Sequence, residues 1–459
     1  MKRLFGTDGI RGTAGAFPLD PKTVTRVGVA LAKTLAADRP QDGGTPRILI
    51  GRDTRESGDW IERAITAGAR RGGAECLAVG VIPTPGVAYL ARSAGFSAGI
   101  MISASHNPYR DNGIKVFAAT GYKLPDHEEV AIEKMVLDGG DPLPDPDYSP
   151  AAAPAAPAGL VDRYIAFLRD AVARGTSLSG MKIVIDCANG ASSEIAPGIF
   201  RDLGATVEPV FCTPDGRNIN SGCGSLHPEG LAARVVAHGA DLGVAFDGDA
   251  DRCLFVSSDG RVADGDLLIY QAALHLKRLG RLPGDLVVTT VMSNLWLERS
   301  LAAIGVRLAR TQVGDKYVLQ EMRRSGSAVG GEQSGHIIFA DQSTTGDGIL
   351  TALRLVEILR ATGGTVRDWL SCVKAFPQIL LNVRVSSRPN LEEHPVIGAE
   401  AASVRARLGD SGRLVLRYSG TEALARVMIE GTDSGVVETL ARRLAAVIKQ
   451  EIGAEDPGA

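Results

Sequence analysis

The feature that most limits how this chain can fold is the repeated alternation of short apolar segments with segments of helical spacing. Arg47–Ile50 has the apolar character of a strand, and Glu56–Gly72 follows it with apolar residues at helical spacing. The same pattern begins again at Met181–Asp186 and at Asp285–Val291. Strands that alternate with helices are typical of sheets built from β-α-β units. Because each pattern carries a Gly-rich polar loop after a strand, one architecture is predicted to occur three times.

The C-terminal region has a different pattern. Leu380–Val385, Arg413–Leu416 and Leu424–Ile429 alternate as strands, and Val436–Lys449 has the spacing of an amphipathic helix. This combination predicts a smaller α+β domain. Further upstream, Asp141–Gly159 contains six prolines, which exclude a helix or a central strand and predict a linker.

A chain of 459 residues is long enough for about two to four domains. We therefore expect three related α/β domains with mixed sheets and a smaller C-terminal α+β domain, arranged around a central cleft. In chain order, the expected bounds are residues 1–155, 156–254, 255–370 and 371–459.

Composition excludes several classes of protein. Hydrophobic residues make up 44% of the chain, too many for general disorder, and a net charge of −3 gives no overall basic field for nucleic acid. No apolar run approaches the roughly 20 residues of a membrane span, and no apolar segment follows the basic start as in a secretory signal. The six cysteines lack C-x-x-C or zinc spacing. We expect a cytoplasmic enzyme whose cysteines are reduced core residues.

The segment Ser103–Pro108 is a hydroxyl-rich turn that directly follows the apolar strand Ala98–Ile102. In open α/β sheets, the loops beyond the carboxyl ends of strands hold ligands. Ser105 therefore lies where a nucleophile would be useful. A Ser/Asn turn that caps the next element is an equally good interpretation of this segment alone.

Three carboxylates, Asp247, Asp249 and Asp251, alternate directly after the apolar strand Leu242–Phe246. Three close anions repel one another unless a cation lies among them, and oxygen ligands of this kind suit Mg²⁺. The positions that an EF-hand needs for Gly and Glu hold other residues, which excludes that motif. The alternative is a solvated acidic turn.

Two further loops are rich in groups that bind sugars and phosphates. Gly331–His336 contains an acid, an amide, a hydroxyl and an imidazole, as a clamp for sugar hydroxyls would. Arg417–Thr421, with Arg426 beyond it, combines guanidinium, hydroxyl and backbone donors suited to a phosphate. The alternatives are a structural His336 in the first loop and an ordinary hairpin turn with solvated arginines in the second.

In this order, the loops resemble the α-D-phosphohexomutase superfamily over essentially the whole chain. The resemblance is carried by Gly6–Gly12, Ser103–Pro108, Asp247–Arg252, Gly331–His336 and Arg417–Thr421. Within the superfamily, the chain is most similar to the bacterial members that act on hexosamine phosphates. That similarity depends on Asn218–Asn220 with Cys223–Glu229, on Gln333 and on Thr311–Asp315.

The resemblance implies an isomerase that interconverts glucosamine 6-phosphate and glucosamine 1-phosphate, in the pathway to UDP-N-acetylglucosamine. Ser105 would carry a phosphoryl group and exchange it with the substrate through glucosamine 1,6-bisphosphate, and a sugar 1,6-bisphosphate would be the activator. One Mg²⁺ per active site would be held by Ser105, Asp247, Asp249 and Asp251.

The resemblance also assigns the remaining site residues. Lys115 would be the general acid/base, with a pKa lowered by nearby cations, and Arg11 and His336 would assist it. Substrate-binding residues would be His106, Arg252, Gly314, Asp315, Glu332 and Ser334. The phosphate that is not transferred would be held by Arg417, Ser419, Gly420, Thr421 and Arg426. The implied partners are small-molecule sugar phosphates and a second copy of the chain in a homodimer, and the last domain is expected to close on the cleft.

Some positions depart from the family pattern, and some alternatives stay open. Tyr418 replaces a usual Lys, Ala423 a Pro, Leu226 a Thr and Lys316 an Arg. A related mutase that acts on mannose or glucose phosphates is the first alternative function. A phosphatase with Asp247 as its nucleophile is a remote second one. For Lys115, the alternative is a surface lysine at a strand edge.

Overall fold

The computed structural model describes residues 4–37, 44–138, 152–172, 175–419 and 423–454. Within these ranges the strands form four sheets. By its internal contacts, the chain divides into two compact units. The first contains residues 1–290 and 309–372, and the second contains residues 291–308 and 373–459.

The first sheet is mixed and six-stranded. Its strands follow the order β1-β2-β6-β5-β3-β4, in which β3 runs parallel to β4 and β5, while β5, β6 and β2 are antiparallel neighbours. The elements are β1 (Phe5–Gly6), β2 (Gly9–Thr13), α1 (Pro21–Ala37), β3 (Arg47–Arg52), α2 (Gly58–Arg71), β4 (Glu75–Val81), α3 (Thr84–Ser93), β5 (Ala98–Ile102), β6 (Asp111–Ala118) and α4 (Asp126–Asp138). All five residues of β5 are buried, so this strand leads directly from the core into the serine loop.

Helices α1 and α2 pack so closely that glycines lie at their contact. A Cβ atom at Gly68 would lie 2.0 Å from the Thr25 carbonyl oxygen, and one at Gly28 would lie 2.4 Å from that of Ile65. Real Cβ atoms do not approach backbone oxygens this closely, so any larger residue would force the two helices apart.

We therefore expect Gly68→Ala to destabilise the protein by about 1–3 kcal/mol, the usual cost of overpacking. The matched control is Gly198→Ala, because Gly198 is also helical but a Cβ atom there would meet nothing within 4 Å. That change should be neutral or stabilising by about 0.5–1 kcal/mol. Apparent melting temperatures of the two variants test this, and equal values would contradict the close helix contact.

The second sheet follows the order β11-β10-β9-β7-β8, with β7 parallel to β8 and β9 and the remaining pairs antiparallel. Its region contains α5 (Leu160–Asp170), β7 (Lys182–Asp186), α6 (Ala196–Asp202), β8 (Thr206–Val210), α7 (Glu229–Ala237), β9 (Leu242–Phe246), β10 (Cys253–Ser257) and β11 (Val262–Ala263). Strand β9 is buried throughout and ends at the acidic loop.

The third sheet follows the order β13-β12-β14-β15. Its region contains α8 (Gly265–Arg278), β12 (Leu286–Thr290), α9 (Leu295–Ala303), β13 (Arg307–Thr311), α10 (Asp315–Ser325), β14 (Val329–Gly331), β15 (Ile337–Phe339), α11 (Gly348–Thr362) and α12 (Val366–Ser371). The antiparallel strands β14 and β15 flank the predicted sugar loop and hold both of its ends.

The fourth sheet is an antiparallel three-stranded sheet in the order β16-β18-β17. Its elements are β16 (Gln378–Arg384), α13 (Pro395–Leu408), β17 (Gly412–Tyr418), β18 (Leu424–Gly431) and α14 (Ser434–Ile452). The two helices supply Ile397, Leu444 and Ile448 to a buried core with Val427 of β18. This region is the predicted smaller α+β domain.

The fold class predicted from the sequence is confirmed, because three α/β regions with mixed sheets precede the smaller α+β region. Residues 141–151 of the predicted linker lie outside the described residues. Of its remainder, Pro154 and Ala156 form backbone hydrogen bonds with Ala78 of the edge strand β4. Cysteines differ in part from expectation, since Cys372 is exposed and Cys212 is half-buried while the other four are buried.

Candidate active site

The serine loop begins where β5 ends, and it holds Ser105 in a conformation that non-glycine residues rarely adopt. Ser105 has a φ of 53°, and only 1% of its surface is exposed. Its hydroxyl donates to Oδ2 of Asp247 at 2.6 Å and lies 3.2 Å from Nδ1 of His106. Backbone strain of this kind costs about 1–3 kcal/mol and is concentrated at functional sites.

The acidic loop follows β9 and converges on one point. The carboxylates of Asp247, Asp249 and Asp251 each offer an oxygen, and these oxygens lie within 4.8 Å of one another. Their residues are 1%, 0% and 6% exposed, which excludes the solvated acidic turn. Burial, with Asp251 and Asp249 alongside, raises the pKa of Asp247 well above its usual value. Three buried carboxylates this close together favour a bound cation.

A second observation shows that the residues of the acidic loop fit a hard metal ion. Oδ1 of Asp249 is buried and has no hydrogen-bond partner among the described residues. Its other oxygen, Oδ2, accepts from Nζ of Lys115 at 2.8 Å and from the hydroxyl of Thr84 at 2.5 Å. Buried acceptors without partners are rare in native proteins, and a carboxylate oxygen is the ligand that Mg²⁺ prefers.

Lys115 lies in the middle of the first sheet, because β6 pairs with β5 on one side and with β2 on the other. The side chain is 1% exposed, which makes the surface-lysine alternative wrong. Nζ lies 2.8 Å from Asp249, 3.4 Å from Asp251 and 3.1 Å from Asp8. Lys115 therefore faces three carboxylates from two loops.

Nearby cations do not lower the pKa of Lys115 below its usual value in this arrangement, although a general acid/base role depends on such a lowering. Burial alone would lower this pKa, but the carboxylates of Asp249, Asp8 and Asp251 raise it well above its usual value. In this arrangement the ammonium group supplies positive charge to the acidic loop. These carboxylates come from Asp8 and the acidic loop, and only the folded chain brings them to Lys115.

Asp8 and Lys123 are site residues that the sequence analysis did not identify. Nζ of Lys123 lies 2.5 Å from Oδ1 of Asp8 and 2.6 Å from Oδ2 of Asp315, while Arg11 also pairs with Asp8. Asp8 lies inside a segment that carried the family resemblance, which is a usable signal. Lys123 lies in no such segment, and only the folded chain brings it to Asp315.

His336 and Arg252 complete the charged cluster around the acidic loop. Nδ1 of His336 lies 3.5 Å from Asp251, and its Nε2 lies 3.0 Å from the Gly346 backbone nitrogen. Burial would lower the pKa of His336, but Asp251, Asp315 and Glu332 raise it to about 9. Nε of Arg252 lies 3.9 Å from both Asp247 and Asp251.

His106 differs from His336 in its charge environment, although both lie near the acidic loop. Burial, with Arg252 and Arg11 nearby, lowers the pKa of His106 to about 3. This imidazole is therefore neutral at physiological pH. A neutral ring beside Ser105 can exchange hydrogen bonds with a phosphoryl group or a sugar hydroxyl without adding charge.

The predicted sugar loop is connected to the start of α10. Oε1 of Glu332 accepts the Gly314 backbone N–H at 3.1 Å, so two predicted substrate-binding segments meet. Gln333 turns away from them and donates to Asp264, the N-cap of α8, at 3.1 Å. The buried Ser334 hydroxyl has no hydrogen-bond partner among the described residues.

A cavity of about 560 Å³ opens beside Lys123 and Asp315. Its lining also includes the cationic side chains of Lys316 and Arg323, with Arg323 stacked on Tyr122. Cavities of this size are typical of small-molecule sites, and its cations suit an anionic ligand.

The predicted phosphate loop belongs to the second compact unit. Arg417 and Arg426 are cross-strand neighbours in β17 and β18, and burial together with Arg426 lowers the pKa of Arg417. Two cations held side by side favour an anion between them. Ser419 is buried, while Gly420 and Thr421 lie outside the described residues. Tyr418, at the position where a Lys was expected, donates to the Pro389 carbonyl at 2.8 Å.

Comparison with family models agrees with this architecture. The chain matches the models of phosphoglucomutase/phosphomannomutase α/β/α domain I over residues 2–141, domain II over 162–260 and domain III over 264–376. The C-terminal domain model matches residues 380–447. The chain belongs to the phosphoglucomutase/phosphomannomutase family, so the resemblance stated from the sequence is confirmed.

Individual relatives narrow the comparison. Phosphoglucosamine mutase of Solibacter usitatus is 50% identical over 454 residues, with 98% of this chain and 99% of the relative covered. Phosphoglucosamine mutase of Koribacter versatilis is 48% identical, with 99% and 98% covered.

Solved structures share the fold. A family member from Burkholderia thailandensis has a TM-score of 0.78 at 23% identity, covering 100% of this chain and 99% of the other. Aspergillus fumigatus N-acetylphosphoglucosamine mutase, in complex with GlcNAc-6P and magnesium, has a TM-score of 0.67 at 18% identity, with 98% and 96% covered. No helix in the described ranges has both the length and the apolar composition that a bilayer crossing requires.

Proposed function

We propose that this chain interconverts glucosamine 6-phosphate and glucosamine 1-phosphate by way of a phosphoserine at Ser105. The observation that carries the proposal is the 2.6 Å contact between the Ser105 hydroxyl and Asp247, at the point where three buried carboxylates converge. Its amino-sugar specificity is supported by full-length relatives at 45–50% identity, which are phosphoglucosamine mutases.

Phosphoryl transfer would proceed in two balanced half-reactions. In the first, the free C1 hydroxyl of glucosamine 6-phosphate attacks the phosphorus of phosphoserine, the bond to the Ser105 oxygen breaks, and the 1,6-bisphosphate forms. After the bisphosphate reorients, the Ser105 oxygen attacks the phosphorus at C6. The bond to the sugar oxygen then breaks, which regenerates phosphoserine and leaves glucosamine 1-phosphate.

The residues that would hold Mg²⁺ are Asp247, Asp249 and Asp251, together with Ser105 once it is phosphorylated. A phosphoserine carries about −1.5 to −2 charge at neutral pH, and the buried carboxylates add to it. The ion would supply the positive charge that a phosphoryl group needs at this acidic point. The convergence of the carboxylates and the unpartnered oxygen of Asp249 support one ion per site.

Lys115 would move the proton of the reacting sugar hydroxyl. Its Nζ lies beside the carboxylates that surround the reacting phosphoryl group, so it is within reach of a hydroxyl bound there. Arg11 and His336 would assist by balancing charge at Asp8 and Asp251.

The sugar and its second phosphate would be held by two separate sets of residues. His106, Arg252, Gly314, Asp315, Glu332 and Ser334 would contact the sugar and its hydroxyls, and the free Ser334 hydroxyl supports this assignment. The second phosphate would be held by Arg417, Ser419, Gly420, Thr421 and Arg426. Fixed contacts of both kinds allow the two ends of the bisphosphate to exchange places.

Finer properties of the enzyme follow from the same proposal. A sugar 1,6-bisphosphate would activate it by phosphorylating Ser105, and the enzyme would act in the cytoplasm as a homodimer on the route to UDP-N-acetylglucosamine. The bounds 1–155, 156–254, 255–370 and 371–459 remain the proposed division into domains.

Substrate preference tests the amino-sugar assignment. We expect higher kcat/KM for glucosamine 6-phosphate than for mannose 6-phosphate or glucose 6-phosphate, measured with Mg²⁺ and a trace of sugar bisphosphate. Preference for a neutral sugar would keep the phosphoserine mechanism and favour the mannose- or glucose-specific alternative.

A further inference from the structure

The buried guanidinium of Arg55 donates hydrogen bonds to backbone carbonyls of the serine loop. Arg55 is 1% exposed, and its NH2 nitrogen donates to the carbonyl oxygens of Ser105 at 3.0 Å and Asn107 at 2.8 Å. Its NH1 nitrogen donates to the carbonyl oxygens of Pro108 and of Asp111. Three carbonyls of the serine loop and the carbonyl of Asp111, at the start of β6, therefore point at a single side chain.

A second set of hydrogen bonds, through Asp53 and Ser103, also holds this guanidinium in place. Nε of Arg55 donates to Oδ2 of Asp53 at 2.9 Å, so all five guanidinium N–H groups have an acceptor. Oδ2 of Asp53 also accepts from the Ser103 hydroxyl at 2.6 Å, and that hydroxyl accepts the Ser105 backbone N–H at 2.9 Å. The backbone of Ser105 is thus held at both its N–H and its carbonyl.

A side chain from the second α/β region binds the same two carbonyls. The Asn220 amide nitrogen donates to the carbonyl oxygens of Ser105 at 2.9 Å and Asn107 at 3.2 Å. The acidic loop lies directly beside this amide. A Cβ atom at Gly248 would be 2.7 Å from the Asn220 amide nitrogen and 2.7 Å from the Ser105 backbone carbonyl oxygen. Gly248 separates Asp247 from Asp249, so the Asn220 amide contacts the backbone of the serine loop and lies beside the acidic loop.

We propose that Arg55 and Asn220 are positioning residues that together set the Ser105 oxygen against the acidic loop. Neither touches the reacting atoms, and the inference rests on the phosphoserine function proposed above. Ser105 has a strained φ of 53°, so its loop needs outside contacts to keep that conformation. Arg55 supplies them from the serine side, and Asn220 fixes the same carbonyls relative to Asp247 and Asp249.

The expected effect is on turnover rather than on substrate affinity. A displacement of about 1 Å at reacting atoms costs roughly 10²-fold in rate. We expect Asn220→Ala and Arg55→Lys each to lower kcat by about 10²-fold, while KM for the sugar phosphate changes by less than about threefold. Lysine keeps the charge of Arg55 but has three donors instead of five, so it cannot hold all four carbonyls and Asp53.

Matched controls lie two and three positions away in the same segments. Asn218→Ala removes a side chain whose hydrogen bonds, among the described residues, lie within residues 213–218, and Arg52→Lys changes one that pairs with Glu62 at 3.6 Å. Neither contacts the serine loop, so both variants should keep kcat within about twofold of wild type.

The experiment measures kcat, KM and melting temperature for wild type, the two variants, their double variant and the two controls. Because both side chains bind the same carbonyls, the double variant should lose less than the product of the single losses. Wild type without mutase activity would defeat the proposed function itself. With an active wild type, unchanged kcat in Asn220→Ala would overturn the positioning role, and so would a loss of kcat matched by an equal rise in KM. If Arg55→Lys fails to fold, Asn220→Ala alone decides.

Discussion

Replacing Ser105 with alanine should reduce mutase turnover by about 10⁴-fold or more, the scale of loss seen when an enzyme loses its covalent nucleophile. The Ser105 hydroxyl is the group that would carry the phosphoryl between the two half-reactions, and alanine cannot replace it. KM for the sugar phosphate should change little, because apart from His106 the proposed sugar and phosphate contacts lie on other loops. Steady-state kinetics with glucosamine 6-phosphate measure both quantities.

Ser258→Ala is the control for this change, because Ser258 is an exposed serine in the turn between β10 and β11. It should leave turnover unchanged. If Ser105→Ala keeps full activity, the phosphoserine mechanism is wrong and the aspartyl alternative at Asp247 becomes the next to test. The two differ chemically, because an acyl phosphate at Asp247 would be cleaved by hydroxylamine and a phosphoserine would not.

Asp247→Asn should abolish most activity by weakening the binding of Mg²⁺. The amide keeps the shape of the carboxylate but removes one of three converging charges, and it offers a single neutral oxygen to the ion. We expect at least a tenfold loss of Mg²⁺ affinity by calorimetric titration, and a loss of kcat of about 10²-fold or more even at saturating Mg²⁺.

Chelation of the metal should reduce the activity of the wild type as this substitution does, and added Mg²⁺ should restore the activity. Asp259→Asn is the matched control, since Asp259 is exposed and pairs with Arg261 on the turn between β10 and β11. Its Mg²⁺ affinity and kcat should equal those of wild type. Unchanged Mg²⁺ binding in Asp247→Asn would contradict the assignment of the metal to the acidic loop.

Much of the fold could be predicted from the sequence, because apolar strands and polar loops alternate so regularly. Ala98–Ile102 and Leu242–Phe246 are strands with the predicted bounds, and both end at the predicted loops. The convergence of those two loops was implied by the resemblance to the phosphohexomutase superfamily, which places one Mg²⁺ between Ser105 and the three carboxylates. The 2.6 Å contact between Ser105 and Asp247 is the geometric result.

The site contacts that could not be predicted depend on which side chains come together in the folded chain. Lys115 was expected to be influenced by cations, whereas three carboxylates surround it, and two of these belong to the predicted metal loop itself. Lys123 binds Asp8, and Asn220 binds the Ser105 backbone. Each pair is separated by 115 positions in the sequence. No local pattern signals such distant pairs.

The division of the chain into two compact units could not be anticipated from the sequence either. Helix α9 follows β12 in the chain but belongs to the second compact unit, where the Asn294 side chain both caps it and bonds with the Phe376 backbone. Its sequence pattern is that of any helix in a β-α-β unit. The contact partner, more than 80 positions away, determines its grouping.

The most direct test of the central claim is a single-turnover transfer from phosphorylated enzyme. The protein is first phosphorylated with labelled sugar 1,6-bisphosphate, freed of small molecules, and shown by peptide mapping to carry the label at Ser105. Glucosamine 6-phosphate is then added with Mg²⁺, and the label is followed in time. We expect it to leave Ser105 and to appear in glucosamine 1,6-bisphosphate and glucosamine 1-phosphate. Label that stays on the protein, or that is released as inorganic phosphate, would contradict the mutase mechanism.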